Sequence, residues 1–141
     1  MADLDVSFVT LNPDIGERFQ RLRNELGVTS FGLNLMVLEP GQRSRVHLHE
    51  QQEEVYIVQE GELTLILEDG EHQLGAGDVA RVGPAVRRQL VNRASERLLM
   101  IAIGGHGEHE GRDARAWGSW EEEGDGRSPQ EVPWPDDLPS A

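Results

Sequence analysis

Two histidines separated by one residue stand near the middle of the chain, followed by a pair of acidic residues. His47 and His49 lie in the stretch GQRSRVHLHEQQEEVYIVQEG, in which Glu53 and Glu54 are the acidic pair. Successive side chains of a β-strand point to opposite faces, so the two histidines share a face, with Cα atoms roughly 6.6 Å apart. Two imidazoles at this spacing can bind one metal ion. Because the chain has no cysteine, any metal must be held by nitrogen and oxygen ligands.

Short apolar clusters on both sides of the histidines predict the strands that position them. Side chains alternate between apolar and polar, and turn signals such as Asp69-Gly70 and Gly83-Pro84 separate the clusters. This close spacing is typical of an all-β sandwich or barrel, and we expect a jelly-roll β-barrel. The predicted strands are residues 29–38, 43–49, 54–59, 63–67, 71–74, 79–82, 86–92 and 97–103.

A short helix is expected before the first of these strands, within residues 1–28. Asn12 or Asp14 could cap its start, and Gly27 could end it. One face of this helix would carry apolar residues at helical spacing, namely Phe19, Leu22 and Leu26. We expect this face to pack on the barrel of residues 29–103.

Residues 104–141 change in composition and read as an irregular acidic tail. They hold 10 acidic and 3 basic residues and show no strand alternation. The three tryptophans of the tail are costly to expose, so we expect parts of it to pack on the barrel or on a neighbouring subunit. His106 and His109 could serve as extra ligands or in a lid, but the glycines around them favour a mobile, solvated segment.

Composition excludes several classes of function. The net charge of -13 at pH 7 would repel a phosphate backbone, which argues against nucleic acid as a partner. All 13 basic residues are arginines, so no lysine can act as a Schiff-base former or general base. No apolar run approaches a membrane span, and the acidic start MADLDVSF lacks the features of a secretory signal. We therefore expect a cytoplasmic protein that does not contact membranes.

The spacing around the histidines resembles a known family. Gly41, His47, His49, Glu54 and Gly61 stand at the fixed positions of the first sequence motif of the cupin superfamily. The segment from residue 77 to residue 92 resembles the second cupin motif only in part. Its glycine and asparagine match, but Gly83 replaces a proline, Ala85 a glycine and Arg88 the metal-binding histidine. The resemblance covers residues 31–103 and implies a single cupin jelly-roll barrel.

The resemblance implies that His47, His49 and Glu54 are ligands of a divalent transition metal. Such a triad suits iron, and manganese, nickel, zinc or cobalt also bind imidazole and carboxylate ligands. The spacing to Gly61 favours Glu54 over Glu53. Tyr56 shares the face of Glu54 and is a candidate pocket residue, while Val55 and Ile57 lie on the opposite face. That apolar outer face needs a cover, either the N-terminal helix or a second subunit, and we expect a homodimer.

Arg88 departs most informatively from the cupin pattern. It shares a face with Val86 and Leu90, the more apolar and therefore inward face of its strand. A guanidinium has no lone pair for a metal and needs an anion instead. Its partner could be Glu54, in a buried ion pair that competes with the metal, or the carboxylate of a substrate. Arg45 shares the face of His47 and is a weaker candidate for a second anion contact.

Two functions follow from these residues. One is a small metalloenzyme of the dioxygenase, decarboxylase or isomerase type, in which His47, His49 and Glu54 hold the ion and Arg88 orients a small acidic molecule. The other is a non-catalytic cupin that binds a small ligand or a partner, with its metal site disarmed by Arg88.

Overall fold

The alternating segments of the chain form a jelly roll of two packed sheets. The structure is a computed structural model that describes residues 4–105 and 113–135. Its elements in chain order are β1 (Phe19–Gln20), α1 (Leu22–Leu26), β2 (Gly32–Leu38), β3 (Val46–His49), β4 (Glu53–Glu60), β5 (Glu62–Leu67), β6 (Gly70–Gly75), β7 (Val79–Val82), β8 (Gln89–Val91), β9 (Leu98–Gly105), β10 (Ala114–Trp117) and a 3-10 turn (Pro129–Glu131). Strands β2 to β9 correspond to the eight strands predicted for residues 29–103, with bounds that differ by a few residues.

Antiparallel pairing arranges the strands in two layers. One layer is a five-stranded sheet in the order β1-β2-β9-β4-β7. The other contains β10 paired with β3, and a three-stranded sheet in the order β6-β5-β8. Reciprocal backbone hydrogen bonds of 3.0 and 2.9 Å between His47 and Arg88 join β3 to β8 and so link the two parts of this layer.

The core lies between the layers and follows the predicted alternation. Tyr56 and Val58 of β4 are each 1% exposed and pack with residues of both sheets, including Leu65 and Leu90. Val55 and Ile57 lie on the outer face of the five-stranded sheet and are half-buried. On that outer face α1 covers β2 and β9, where Leu22 packs against a second apolar cluster. The N-terminal helix therefore covers the β2 and β9 part of this face, and a second subunit over Val55 and Ile57 stays a prediction.

The N-terminal helix is much shorter than the sequence pattern indicated. It spans only Leu22–Leu26, and the prediction that Asn12 or Asp14 caps it is wrong. Phe19–Gln20 instead forms β1 and pairs with β2, because the buried Gln20 side chain bonds the backbone of Thr10 and Asn12 and so ties the preceding segment to the sheet. The predicted end is confirmed, since Gly27 adopts a left-handed conformation with φ 77°.

Part of the acidic tail packs against the jelly roll. Strand β10 pairs with β3 in antiparallel register, with Ala114 opposite His49 and Ala116 opposite His47. The absence of apolar alternation in the tail concealed this strand. His106 and His109 lie outside the described residues. None of the helices in the described ranges has the length and hydropathy that crossing a membrane requires.

Candidate metal centre

Three predicted ligands converge on the inner side of β3 and β4. The ring Nε2 of His49 lies 3.3 Å from Glu54 Oε1, and that of His47 lies 4.0 Å from the same oxygen. One ligand atom from each of the three residues lies within 4.8 Å of the others, and each side chain is 16% exposed. Glu53 points away and pairs with Arg81 at 2.6 Å on the surface. The geometry thus places Glu54, and not Glu53, beside the two histidines.

Both imidazoles are held by an oxygen acceptor at Nδ1. His47 Nδ1 donates to the carbonyl of Arg45 at 2.9 Å, and His49 Nδ1 donates to Asp113 Oδ1 at 2.9 Å. Since a carbonyl or carboxylate can only accept, the proton of each neutral ring sits on Nδ1, and the lone pair sits on Nε2. Metal-binding histidines are commonly held in this way by a carboxylate or a backbone carbonyl. Both rings therefore turn Nε2 towards the region beside Glu54.

Asp113 is a residue of the site that the sequence did not reveal. It is 7% exposed and stands just before β10. Besides His49, its carboxylate accepts the backbone N–H groups of Gln51 and Gln52 at 2.9 and 2.8 Å, and it also accepts the Gln52 side-chain amide. Its distance from the histidines along the chain left no spacing signal. The tail thus supplies, through Asp113, a support for the candidate ligand His49.

Arg88 points inward as predicted, and its partner is Glu54. It is 0% exposed, and its Nη2 donates to Glu54 Oε1 at 2.9 Å. Its Nε donates to the hydroxyl of Tyr56 at 3.1 Å, and its Nη1 donates to the carbonyl of Val86 at 2.7 Å. The Tyr56 hydroxyl also donates to Glu54 Oε1. Arg88 and Tyr56 therefore hold one carboxylate oxygen in place, whereas a substrate contact by Arg88 remains a prediction.

The electrostatics of the cluster favour the ligand forms of His47 and Glu54. Burial lowers the pKa of His47 to about 4, and the charge of Arg88 acts in the same direction. Burial disfavours the Glu54 carboxylate, but His49 and Arg88 outweigh burial and hold the pKa of Glu54 well below its ordinary value. Burial likewise opposes a charge on His49, yet Glu54 and Asp113 overcome it and raise the pKa of His49. At neutral pH His47 is neutral and Glu54 is ionised.

The cluster opens into a pocket of about 210 Å³ between the two layers. Apolar side chains from β2, β8 and β9 form its inner wall, and the predicted Tyr56 lines it. The tail forms part of its rim through Ala114, Pro129 and Trp134. The inner wall is mostly apolar, and the open side leaves room for a small molecule beside the ligands.

Arg45 and Trp134 line this pocket, whereas the other two tail tryptophans pack elsewhere on the barrel. The Nε of Arg45 donates to the carbonyl of Val132 at 2.6 Å, and its guanidinium carbon lies 4.1 Å from the ring centroid of Trp134. Trp117 and Trp120 both pack on the guanidinium of Arg87 instead, at 5.1 and 4.9 Å. The expectation that the tail tryptophans pack on the barrel is confirmed within this chain. The suggested role of Arg45 as an anion contact stays a prediction.

These features define a class of protein: a small jelly roll with a two-histidine, one-carboxylate cluster at the inner end of its pocket. A family model for the cupin domain matches residues 34–104, and this chain belongs to that family. The family resemblance drawn from the first motif is thereby confirmed. No protein of curated function matches the chain.

Solved cupin structures resemble the chain over most of its length. A sugar phosphate isomerase of the cupin superfamily from Silicibacter pomeroyi is 32% identical, with a TM-score of 0.63 over 72% of this chain and 65% of that chain. A cupin 2 conserved barrel domain protein from Salinispora arenicola is 31% identical, with a TM-score of 0.57 over 68% of this chain and 81% of that chain. The alignment thus spans slightly less than two thirds of the Silicibacter pomeroyi protein.

Proposed function

We propose that this protein binds one divalent transition metal through His47, His49 and Glu54 and acts as an enzyme on a small acidic molecule. The observation that carries the proposal is the pair of Nδ1–H hydrogen bonds to Arg45 and Asp113, which aims both Nε2 atoms at the region beside an ionised carboxylate. Two neutral imidazoles and one carboxylate are a suitable ligand set for iron, manganese, nickel or zinc.

Isomerisation is the reaction type that we favour among those open to such a site. The Silicibacter pomeroyi cupin, at 32% identity, is described as a sugar phosphate isomerase. A bound divalent ion would act as a Lewis acid that polarises a carbonyl or hydroxyl oxygen of the substrate. Arg88 and Tyr56 orient Glu54, Asp113 orients His49, and the apolar wall of the pocket excludes water from the reacting end.

Metal content tests the proposal directly. Protein purified without a histidine tag should contain about one divalent metal per chain, and addition of that metal to stripped protein should raise its melting temperature. His47→Ala should lose both properties. His72→Ala is the matched control, because His72 lies on the surface beside Asp69 and 46% of its side chain is exposed. Stripped wild-type protein that binds none of iron, manganese, nickel, cobalt and zinc would contradict the proposal.

A second function is favoured by one specific observation, the buried ion pair between Arg88 and Glu54. Arg88 already neutralises the Glu54 carboxylate that a metal would use. A cupin that binds a small ligand without a metal would need such a pair to fill its metal site. This alternative predicts a thermal shift with small acids and no shift with any divalent metal. One set of melting curves, with divalent metals and with small acids, therefore distinguishes the two functions.

A further inference from the structure

A second groove reaches the same cluster from the side of α1. It has a volume of about 260 Å³ and is lined near its outer end by Arg21, Arg23 and Asn24. At its inner end it shares Asn34, His49, Glu54 and Ala102 with the pocket described above. A small molecule in this groove could therefore place one end beside the helix and the other beside the cluster. We call this space the helix-side groove.

Arg23 is a cation in this groove that has no anionic partner among the residues that the structure describes. Its Nε is buried and has no hydrogen-bond partner among residues 4–105 and 113–135, and no ion pair of its guanidinium occurs there. The neighbouring arginines differ, since Arg21 pairs with Glu17 at 3.4 Å and Arg88 pairs with Glu54 at 2.9 Å. Because Arg23 lines the groove and pairs with no carboxylate in these ranges, its charge is available to an anion that binds there.

Neutral donors accompany this guanidinium. The side-chain amides of Asn24 and Asn34 both line the helix-side groove, and neither has a hydrogen-bond partner within the described part of the chain. A phosphate monoester has three terminal oxygens that need several donors, and a guanidinium can satisfy two of them in a fork. In a chain with a net charge of -13, an unpaired cation is also the feature that would draw an anion to this side.

We propose that Arg23 anchors the phosphate group of a small phosphorylated sugar, with Asn24 and Asn34 as accessory donors. The sugar would extend along the groove, so that its reacting end lies beside His49 and Glu54. This inference rests on the proposed function for the reaction, but the anion site can be measured without it. Arg23 is thus the residue that selects phosphorylated over neutral sugars.

The test is calorimetric titration of the full chain with ribose 5-phosphate, ribose, inorganic phosphate and gluconate at low ionic strength. Arg23→Gln should weaken binding of ribose 5-phosphate and of inorganic phosphate by roughly 10- to 100-fold. Arg23→Lys should be intermediate, because lysine keeps the charge and loses the fork. Arginine and glutamine have similar helix propensity, so α1 should persist in Arg23→Gln. Arg93→Gln is the control, since Arg93 pairs with Glu71 near the surface.

Affinity for Mn²⁺, titrated in the same proteins, separates this inference from the proposed function. Arg23→Gln should bind Mn²⁺ as wild-type protein does. If the wild-type protein binds no metal while Arg23 still governs phosphate affinity, the proposed function fails and the anion site stands. The inference is overturned if wild-type protein does not bind ribose 5-phosphate, if Arg23→Gln binds it equally well, or if ribose or gluconate binds as tightly.

Discussion

Replacing Arg88 by methionine tests how strongly Arg88 stabilises the buried carboxylate of Glu54. The Arg88 side chain is 0% exposed and Glu54 is 16% exposed, so the substitution removes a buried countercharge of a largely buried carboxylate. Breaking a buried ion pair in this way costs about 3 to 5 kcal/mol. Tyr56 still donates to Glu54 in the variant, which places the expected loss near the lower value, about 3 kcal/mol. For a chain of this size the melting temperature should fall by roughly 10 °C.

Urea unfolding with and without divalent metal measures the effect. Metal should restore more stability to Arg88→Met than to wild-type protein, because the ion supplies the positive charge that the variant lacks. The double variant Arg88→Met with Glu54→Gln should recover part of the loss, since no unpaired charge remains. Arg81→Met is the matched control, because Arg81 and Glu53 form an exposed pair that should contribute less than about 1 kcal/mol. The reasoning is refuted if Arg88→Met is no less stable than Arg81→Met.

Two further predictions concern the histidines. Asp113→Ala should reduce metal affinity by roughly 10- to 100-fold in a calorimetric titration, because His49 loses the acceptor that orients it. Asp125→Ala is the control, because Asp125 is exposed and its loss should leave metal affinity unchanged. Equal metal affinities of the two variants would exclude a positioning role for Asp113. The lowered pKa of His47, about 4 against 6.5, contributes stability that is present above pH 6.5 and lost as the pH falls towards 4, by up to about 3 kcal/mol. The raised pKa of His49 acts in the opposite direction, so the contribution of His47 must be isolated by a variant. Urea unfolding of metal-stripped protein should therefore compare wild type with His47→Gln. The free energy of unfolding of His47→Gln should fall less than that of wild type as the pH falls from 6.5 towards 4. If the free energies of unfolding of the two proteins change equally with pH, the lowered pKa does not belong to His47.

Local alternation predicted much of the fold and of the cluster. In a strand, side chains two residues apart share a face, so spacing alone placed His47 with His49, and Glu54 with Tyr56. The same rule predicted that the Arg88 side chain points to the inner face of its strand. The N-terminal helix was predicted less well, because Phe19 fits both a helical stripe and the strand β1, and only pairing with β2 decided between them. Local patterns cannot settle a choice that a distant strand makes.

The sequence by itself therefore determined the family, the eight central strands and the three candidate ligands, since all of these depend on residues close together in the chain. The tertiary structure alone decided which groups surround those ligands. Asp113 reaches His49 across 64 residues, and Arg88 reaches Glu54 across 34. Packing of α1 against β2 brings Arg23 into a groove that leads to the cluster. Such contacts arise from strand pairing and layer packing, which join segments whose spacing in the sequence carries no signal.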